Sequence, residues 1–297
     1  MIILHRTPYN RGYRFLKFDN LGIFEIVSIL CLSKRYTSRN KIALKLVSEG
    51  SMVYPQSISI FFPMYNERAN IEQVIARAEQ TIPELGVKNY EILIIDDGSR
   101  DGSAEIVQEW SERNPQVCLV RHPRNMGYGA ALRTGFATSR FDAVFYTDCD
   151  LPVDLGELVK NMPLLKDADL VIGYRKKRFE TLRRAIFSRT YNVLMRLLFN
   201  VHVRDVNFSF KLVRKQVLDR ITLTAGTVFI DGQLLAESVR YGYSILEVPI
   251  DYTPRRFGNS NFDSLQTAWL TLAEMIRYWL KTMFRPQMAV DKHHPTD

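Results

Sequence analysis

The sequence predicts an α/β protein: a mostly parallel sheet with helices on both faces. Two observations carry that expectation. From Ser57 onward, apolar runs of strand length alternate with segments whose apolar residues recur at helical spacing. Three of those runs then end in polar, largely acidic residues, and in such sheets ligands bind outside the carboxyl ends of the strands. A chain with 46% hydrophobic and 24% charged residues is ordinary for a globular protein, which excludes disordered, collagen-like and low-complexity classes.

The elements follow in order. Ser57–Phe62 is an apolar first strand, and Asn66–Ile82 a helix with Ile71, Val74, Ile75 and Ala78 at helical spacing. Glu91–Ile95 is a second strand and Ser103–Arg113 a helix. Val117–Val120 is a third strand and Ala130–Ser139 a helix. Ala143–Tyr146 is a fourth strand, Leu155–Leu165 a helix and Asp169–Ile172 a fifth strand. No internal repeat appears, and no linker divides residues 57–260.

The net charge of +8 sits unevenly. Residues 1–51 hold nine basic and three acidic residues, leaving 31 basic and 29 acidic residues for the rest. The basicity therefore belongs mainly to an N-terminal extension, which argues against nucleic acid as a partner of the main domain. Residues 1–56 show no clear period; they read as an irregular basic arm or as the product of an upstream start, since Met52 opens five residues before the first strand. The longest apolar stretch there, Leu21 to Leu32, is interrupted by Glu25 and falls short of the roughly 20 residues of a spanning helix. It also lacks a small-residue cleavage site. The three cysteines, Cys31, Cys118 and Cys149, are too dispersed for a disulfide framework or a CxxC metal site and fit a reducing compartment. The expected division is a basic extension over 1–56, one domain over 57–262, and an amphipathic helix and tail over 263–297.

The strand ends supply the chemistry. The first gives Pro63, Tyr65, Asn66 and Glu67; the second gives Asp96, Asp97, Gly98 and Ser99; the fourth gives Asp148-Cys149-Asp150. Residues two apart on an extended chain share a side, so Asp148 and Asp150 repel unless a cation lies between them. Mg²⁺ or Mn²⁺ takes hard oxygen ligands and bridges to substrate phosphates, which points to a metal–diphosphate complex. In the second loop, Asp96 and Asp97 are candidates to accept hydrogen bonds from a ribose or base, while Asp101 or Ser103 caps the following helix. Asn125-Met126-Gly127-Tyr128-Gly129 precedes a helix, where small residues admit a ligand and the amides attract anions.

The order PxYNE, DDGSxDGS, NxGxGxA and DxD resembles the family 2 glycosyltransferases with the GT-A nucleotide-sugar fold. The second half resembles the polyprenyl-phosphate sugar synthases within it, and the likeness covers about residues 57–262. It implies that Pro63, Tyr65, Asn66, Glu67, Asp96, Asp97, Asn125 and Gly127 hold a nucleotide-sugar of the GDP-mannose or UDP-glucose type. It implies that Asp148 and Asp150 carry Mg²⁺ or Mn²⁺ on the donor diphosphate. Gly173-Tyr174-Arg175 matches the family's Gly-x-Arg. Arg184, Ser188 and Asn192 match an Arg-xxx-Ser-xxx-Asn helix whose spacing of four puts them on one stripe. Asp205, Ser209, Phe210, Lys211 and Arg214 match a further segment, followed by Glu247-Val248-Pro249-Ile250 and by Arg255 opening an RxxGxS-like run. Arg175, Arg184, Ser188, Lys211, Arg214 and Arg255 are the implied ligands of an acceptor phosphate. Three positions depart from the pattern: Pro152 where Gln is frequent, which leaves a third metal ligand unassigned; Gln233 where Glu is usual, with Asp231 nearby; and Tyr128 where lysine is frequent.

The resemblance implies transfer of a mannose- or glucose-type sugar to a polyprenyl or dolichyl phosphate at the cytoplasmic face of a membrane, with the protein peripheral to it. Two other readings stand beside it: transfer to a growing glycan or lipid-linked oligosaccharide with Asp231 as base, and a non-catalytic nucleotide or nucleic-acid binder. Leu265, Trp269, Leu272, Ile276 and Trp279 share a helical face near Arg277, Lys281 and Arg285; that face fits a membrane interface or packing on the domain.

Overall fold

The computed structural model describes residues 3–6, 13–16, 54–176, 182–252 and 265–283. Met1–Gly50 and Ser51–Asp297 form two compact units. In the first, β1 (Ile3–Arg6) pairs antiparallel with β2 (Tyr13–Leu16), with Ile3 opposite Leu16. The aperiodic reading of the extension thus meets one short ribbon.

The second unit is built on seven strands: β3 (Ser57–Met64), β4 (Asn89–Asp96), β5 (Val117–Arg121), β6 (Ala143–Tyr146), β7 (Leu170–Arg175), β8 (Lys211–Arg214) and β9 (Ile245–Ile250). Their order across the sheet is β5-β4-β3-β6-β8-β7-β9. Only β8 is antiparallel to its neighbours, β6 and β7; every other pairing is parallel. The chain winds outward from β3 through β4 to β5, then returns to place β6 on the other side of β3. That reversal makes a switch point between β3 and β6, and a crevice outside their carboxyl ends.

Helices cover both faces. α1 (Ile71–Leu85), α2 (Ser103–Arg113) and α4 (Gly156–Asn161) lie over one face, where Ile58, Ile60, Phe62 and Met64 of β3 meet Val74, Ile75, Val107 and Leu158. α3 (Tyr128–Thr138), α5 (Leu182–Phe199), α6 (Lys215–Arg220), α7 (Phe229–Arg240) and α8 (Leu265–Thr282) lie over the other, where Phe61 of β3 meets Leu132, Phe136, Met195, Phe229 and Met275. The two-residue alternation of β3 sends its side chains into both layers.

Several bounds shift by one to three residues from the sequence reading, and two larger differences have a local cause. α1 starts at Ile71 rather than Asn66, because Asn66 adopts a left-handed backbone (φ 55) and gives its N–H to Ser99 Oγ at 2.8 Å. The helix expected over Leu155–Leu165 splits into α4 and a 3₁₀ turn, Met162–Lys166, where Pro163 cannot donate to an α ladder. α8 packs on the domain through buried Met275 and Trp279, while Glu274 accepts from the N–H groups of Gly226 (2.8 Å) and Thr227 (3.0 Å). Trp269 and Leu270 remain exposed. Among the described residues, no helix is long and apolar enough to cross a membrane.

Candidate functional site

The loops after β3 and β4 are laced together. Glu67 N–H donates to Ser103 Oγ (3.0 Å), Arg68 N–H to Asp101 Oδ2 (2.9 Å), and Arg100 N–H to Asn66 Oδ1 (2.9 Å). Asp101 also accepts from the Ser103 N–H at 3.0 Å, but the N-cap position of α2 falls on Gly102 rather than on Asp101 or Ser103. Gly98 makes the turn possible: its φ is 76, and a Cβ there would lie 2.6 Å from the Arg124 carbonyl carbon. Pro63, Tyr65 and Glu67 are half-buried at this edge, and Asn66 is exposed.

Asp96 and Asp97 are buried, and their carboxylates are engaged inside the protein. Asp96 accepts from the Ser99 N–H (2.9 Å) and pairs with Arg121 (3.0 Å). Asp97 accepts from the N–H groups of Met126 and Gly127, each at 2.8 Å, and meets His122 Nδ1 at 2.7 Å. The other ring nitrogen of His122 reaches Thr134 Oγ1 of α3 at 2.9 Å. Asp97 therefore shapes the Asn125–Gly127 loop from behind. Asn125 stands exposed on that loop, its side chain accepting from Gly127 N–H at 3.1 Å. The sequence analysis does not single out His122, which directly follows β5.

The two DxD carboxylates come together differently from the sequence expectation. β6 ends at Tyr146, so Asp148 and Asp150 do not alternate along a strand. They lie on a tight turn closed by the Leu151 N–H to the Asp148 carbonyl (3.1 Å), with Leu151 at φ 46. A left-handed leucine is strained, and such outliers cluster at functional sites. Asp148 is partly exposed by area yet lies deep among protein atoms. Burial, and then the Asp150 charge, push its carboxyl up to about 7, while hydrogen bonds from Ser209 and Tyr128 pull the other way.

Behind the turn runs a buried polar chain. Tyr128, the first residue of α3, donates to Asp148 Oδ1 at 3.3 Å and hydrogen-bonds to Tyr146, which donates to Asp231. Asp231, in the first turn of α7, pairs with Lys211 at 2.9 Å; Lys211 also donates to the Phe208 carbonyl (2.7 Å). Burial holds both phenols well above their usual range, reinforced by Asp148 at Tyr128 and by Asp231 at Tyr146. Both stay neutral donors.

These contacts correct three expectations. Lys211 is fully buried and engaged by Asp231 and Phe208, an interior ammonium rather than a phosphate ligand at the open edge. Arg214 ends the antiparallel strand, opposite Ala143 at the start of β6, so it lies at the far edge of the sheet and donates to the Leu165 carbonyl. Asp231 is the counter-charge of Lys211, which removes the basis for reading it as a catalytic base. Gln233, at the usual Glu position, is buried and holds the loop before α7 by accepting from Thr224 and Ala225 N–H groups (2.9 and 2.8 Å).

On the other side of the turn, Arg175 at the end of β7 pairs with Asp205 at 2.9 Å, its guanidinium 5.4 Å from the Phe208 ring and 5.5 Å from that of Tyr252. Gly173 permits this packing, since a Cβ there would lie 2.8 Å from Ile250 and Phe210 atoms. Asn192 of α5 donates to the Arg204 carbonyl at 2.8 Å, tying the half-buried Ser188 and its helix to the segment that carries Asp205. A bridge between Val153 and Tyr252 joins the DxD loop to the chain after β9. The Arg184 side chain and Arg255 lie outside the described residues.

The donor chemistry suits a divalent cation. Two hard carboxylates share one turn and repel each other, and a bound divalent cation would relieve that repulsion. Among the described residues no third His, Cys, Asp or Glu completes a cluster, so Asp148 and Asp150 would hold the ion with substrate or water oxygens filling its shell.

A mostly parallel seven-strand sheet reversed at one switch point, with an acidic turn beside it, fits the GT-A class of fold. The family model for "Glycosyl transferase family 2" matches residues 59–222, and the chain belongs to that family. It is 30% identical over 237 residues to the polyprenol monophosphomannose synthase of Mycolicibacterium smegmatis, covering 74% of this chain and 86% of the relative. It is also 30% identical to the undecaprenyl-phosphate 4-deoxy-4-formamido-L-arabinose transferase of Pseudomonas savastanoi, covering 72% of this chain and 63% of that one. Glycosyltransferase AglD of Haloferax volcanii is 25% identical, with 78% of this chain but only 38% of AglD matched. The fold is similar to that of the Mycobacterium tuberculosis glucosyl-3-phosphoglycerate synthase crystallised with Mn²⁺ and UDP (TM-score 0.58, 22% identity, 75% and 79% of the two chains). The chain is thus an enzyme, a glycosyltransferase, and the non-catalytic reading falls.

Proposed function

We propose that the protein transfers a sugar of the mannose or glucose type from a nucleotide-diphosphate donor to a polyprenyl or dolichyl phosphate. The observation that carries this reading is the Asp148–Leu151 turn, two carboxylates held at the switch point between β3 and β6. Relatives named for polyprenyl-phosphate acceptors support the acceptor class.

Pro63, Tyr65, Glu67 and the Asn125–Gly127 loop line the nucleoside side, with Asp96 and Asp97 fixing the loops from within. Asp148 and Asp150 face the donor diphosphate. When bound there, Mg²⁺ or Mn²⁺ neutralises charge on the departing nucleoside diphosphate. Arg175 and Ser188, joined by the Arg184 stripe, orient the acceptor phosphate for attack on the anomeric carbon. A phosphate monoester is already ionised at neutral pH, so its oxygen attacks without a general base. That agrees with an Asp231 committed to Lys211.

The test is transfer of label from GDP-mannose, UDP-glucose or UDP-N-acetylglucosamine to a short polyprenyl phosphate with Mn²⁺ or Mg²⁺. One donor is expected to give an organic-extractable, mild-acid-labile product. Nucleotide-sugar binding with no lipid product from any donor would overturn the acceptor assignment.

A further inference from the structure

We propose that Glu274 of α8 is a positioning residue for the donor: it fixes the turn over residues 224–227, and that turn fixes the start of α3, where the nucleotide-diphosphate binds. The proposal rests on the donor half of the reading above and not on its acceptor half. The turn precedes α7 and carries four consecutive N–H groups, each taken by a side-chain oxygen. Gln233 Oε1 accepts from Thr224 (2.9 Å) and Ala225 (2.8 Å). Glu274 takes the other two, Gly226 on Oε1 at 2.8 Å and Thr227 on Oε2 at 3.0 Å. Its Oε2 also accepts from the Thr227 hydroxyl at 2.6 Å. Three charge-assisted bonds to one carboxylate hold a turn more firmly than neutral ones. Arg133 of α3 closes the turn from its carbonyl side, donating to Thr224 at 3.0 Å and to Ala225 at 2.6 Å.

What the turn supports gives it a role beyond packing. A Cβ on Gly129 would lie 2.5 Å from the Gly226 carbonyl carbon and 2.7 Å from the Ala225 oxygen, and one on Gly127 would lie 3.6 Å from the Gly226 oxygen. Backbone thus packs on backbone, and a shift of the turn passes to α3 with no flexible side chain to absorb it. The same start of α3 carries two groups of the donor site. The Gly127 N–H is held by Asp97 at 2.8 Å, and Tyr128 donates to Asp148 Oδ1 at 3.3 Å. The amides of that first turn also attract a phosphate. Glu274, Gln233 and the turn itself all lie beyond residues 59–222, the stretch that the family model matches. The donor site is therefore completed by a helix that follows the matched stretch.

The test is calorimetric titration of the intact chain with GDP and with UDP in Mn²⁺, without lipid and well below the unfolding midpoint, beside donor kinetics in the transfer assay. Glu274→Ala is expected to weaken binding of the nucleotide that wild type takes by about tenfold and to raise the donor KM by a similar factor, with the acceptor KM unchanged. Glu274→Gln, which keeps the volume and one acceptor oxygen, should fall between Glu274→Ala and wild type. Gly129→Ala presses on the turn from α3 and should give the same kind of loss, with the double variant Glu274→Ala/Gly129→Ala less than additive. Met275→Ala loosens α8 without touching the turn; it should lower the unfolding midpoint and leave nucleotide affinity unchanged. Wild-type affinity in the folded Glu274→Ala and Glu274→Gln proteins would overturn the proposal. So would an equal loss of affinity in Met275→Ala, since α8 would then act only through its packing. A wild-type protein that binds neither GDP nor UDP would reject the donor reading, and the proposal with it. Affinity that falls in Glu274→Ala while no donor yields a lipid product would uphold the proposal and reject only the acceptor.

Discussion

Replacing Asp231 with Asn removes one charge and almost no volume. Lys211 and Asp231 are 0% and 1% exposed and 2.9 Å apart, so the substitution strands an ammonium in the interior. What remains around it is the Phe208 carbonyl at 2.7 Å and the face of the Tyr146 ring at 5.6 Å, neither of which carries a counter-charge. Breaking a buried pair from one side costs about 3–5 kcal/mol. That is a large share of the roughly 5–15 kcal/mol that holds a domain folded. The double variant Lys211→Met/Asp231→Asn removes both charges and should recover most of the loss, because a buried ion pair often exchanges for apolar packing at little net cost. Urea unfolding followed by tryptophan fluorescence measures all three proteins. Transfer assayed at a temperature where the double variant is folded separates stability from chemistry. A single variant within about 1 kcal/mol of wild type that has nonetheless lost transfer would refute the reasoning and restore Asp231 as a base.

Three further outcomes follow from the same geometry. Arg214→Gln should lower stability by about 1–2 kcal/mol through the lost bonds to the Leu165 carbonyl, with the acceptor KM unchanged because the residue lies at the far edge of the sheet. Gly98→Ala forces a Cβ against Arg124 at φ 76 and should cost about 2–3 kcal/mol in urea unfolding while weakening nucleotide binding through the displaced Arg124–Gly127 loop. Because Asp148 is raised to about 7, the folded metal-free protein holds a proton that the unfolded chain releases near pH 4; the associated stability is present below that pH and lost as pH rises toward 7. Mn²⁺ must displace the same proton, so its affinity should fall up to about tenfold per pH unit below 7, with proton release visible in calorimetry in two buffers.

Local pattern was legible where neighbours in sequence decide the outcome. Ala143–Tyr146 and Ser103–Arg113 occur with the expected bounds, since an apolar four-residue run and an amphipathic segment between turn residues leave few alternatives. The convergence of three polar strand ends was likewise readable, because parallel strands share an edge. The direction of β8 was not. Nothing in Lys211–Arg214 reveals that it runs against its neighbours, yet that direction puts Lys211 among the buried polar groups and Arg214 at the opposite edge. The Asp148–Leu151 turn was hidden too, because no Gly or Asn marks the left-handed position that Leu151 occupies. The engagement of Asp97 by His122 joins groups 25 residues apart, a pairing that spacing alone does not disclose.

The most direct test of the Asp148 turn as the seat of donor chemistry is the lipid-transfer assay run on Asp148→Asn beside wild type. The account predicts transfer reduced by about a hundredfold or more, with an unfolding midpoint no lower than wild type, since the substitution removes the repulsion from Asp150. Transfer retained by a folded Asp148→Asn protein would contradict it.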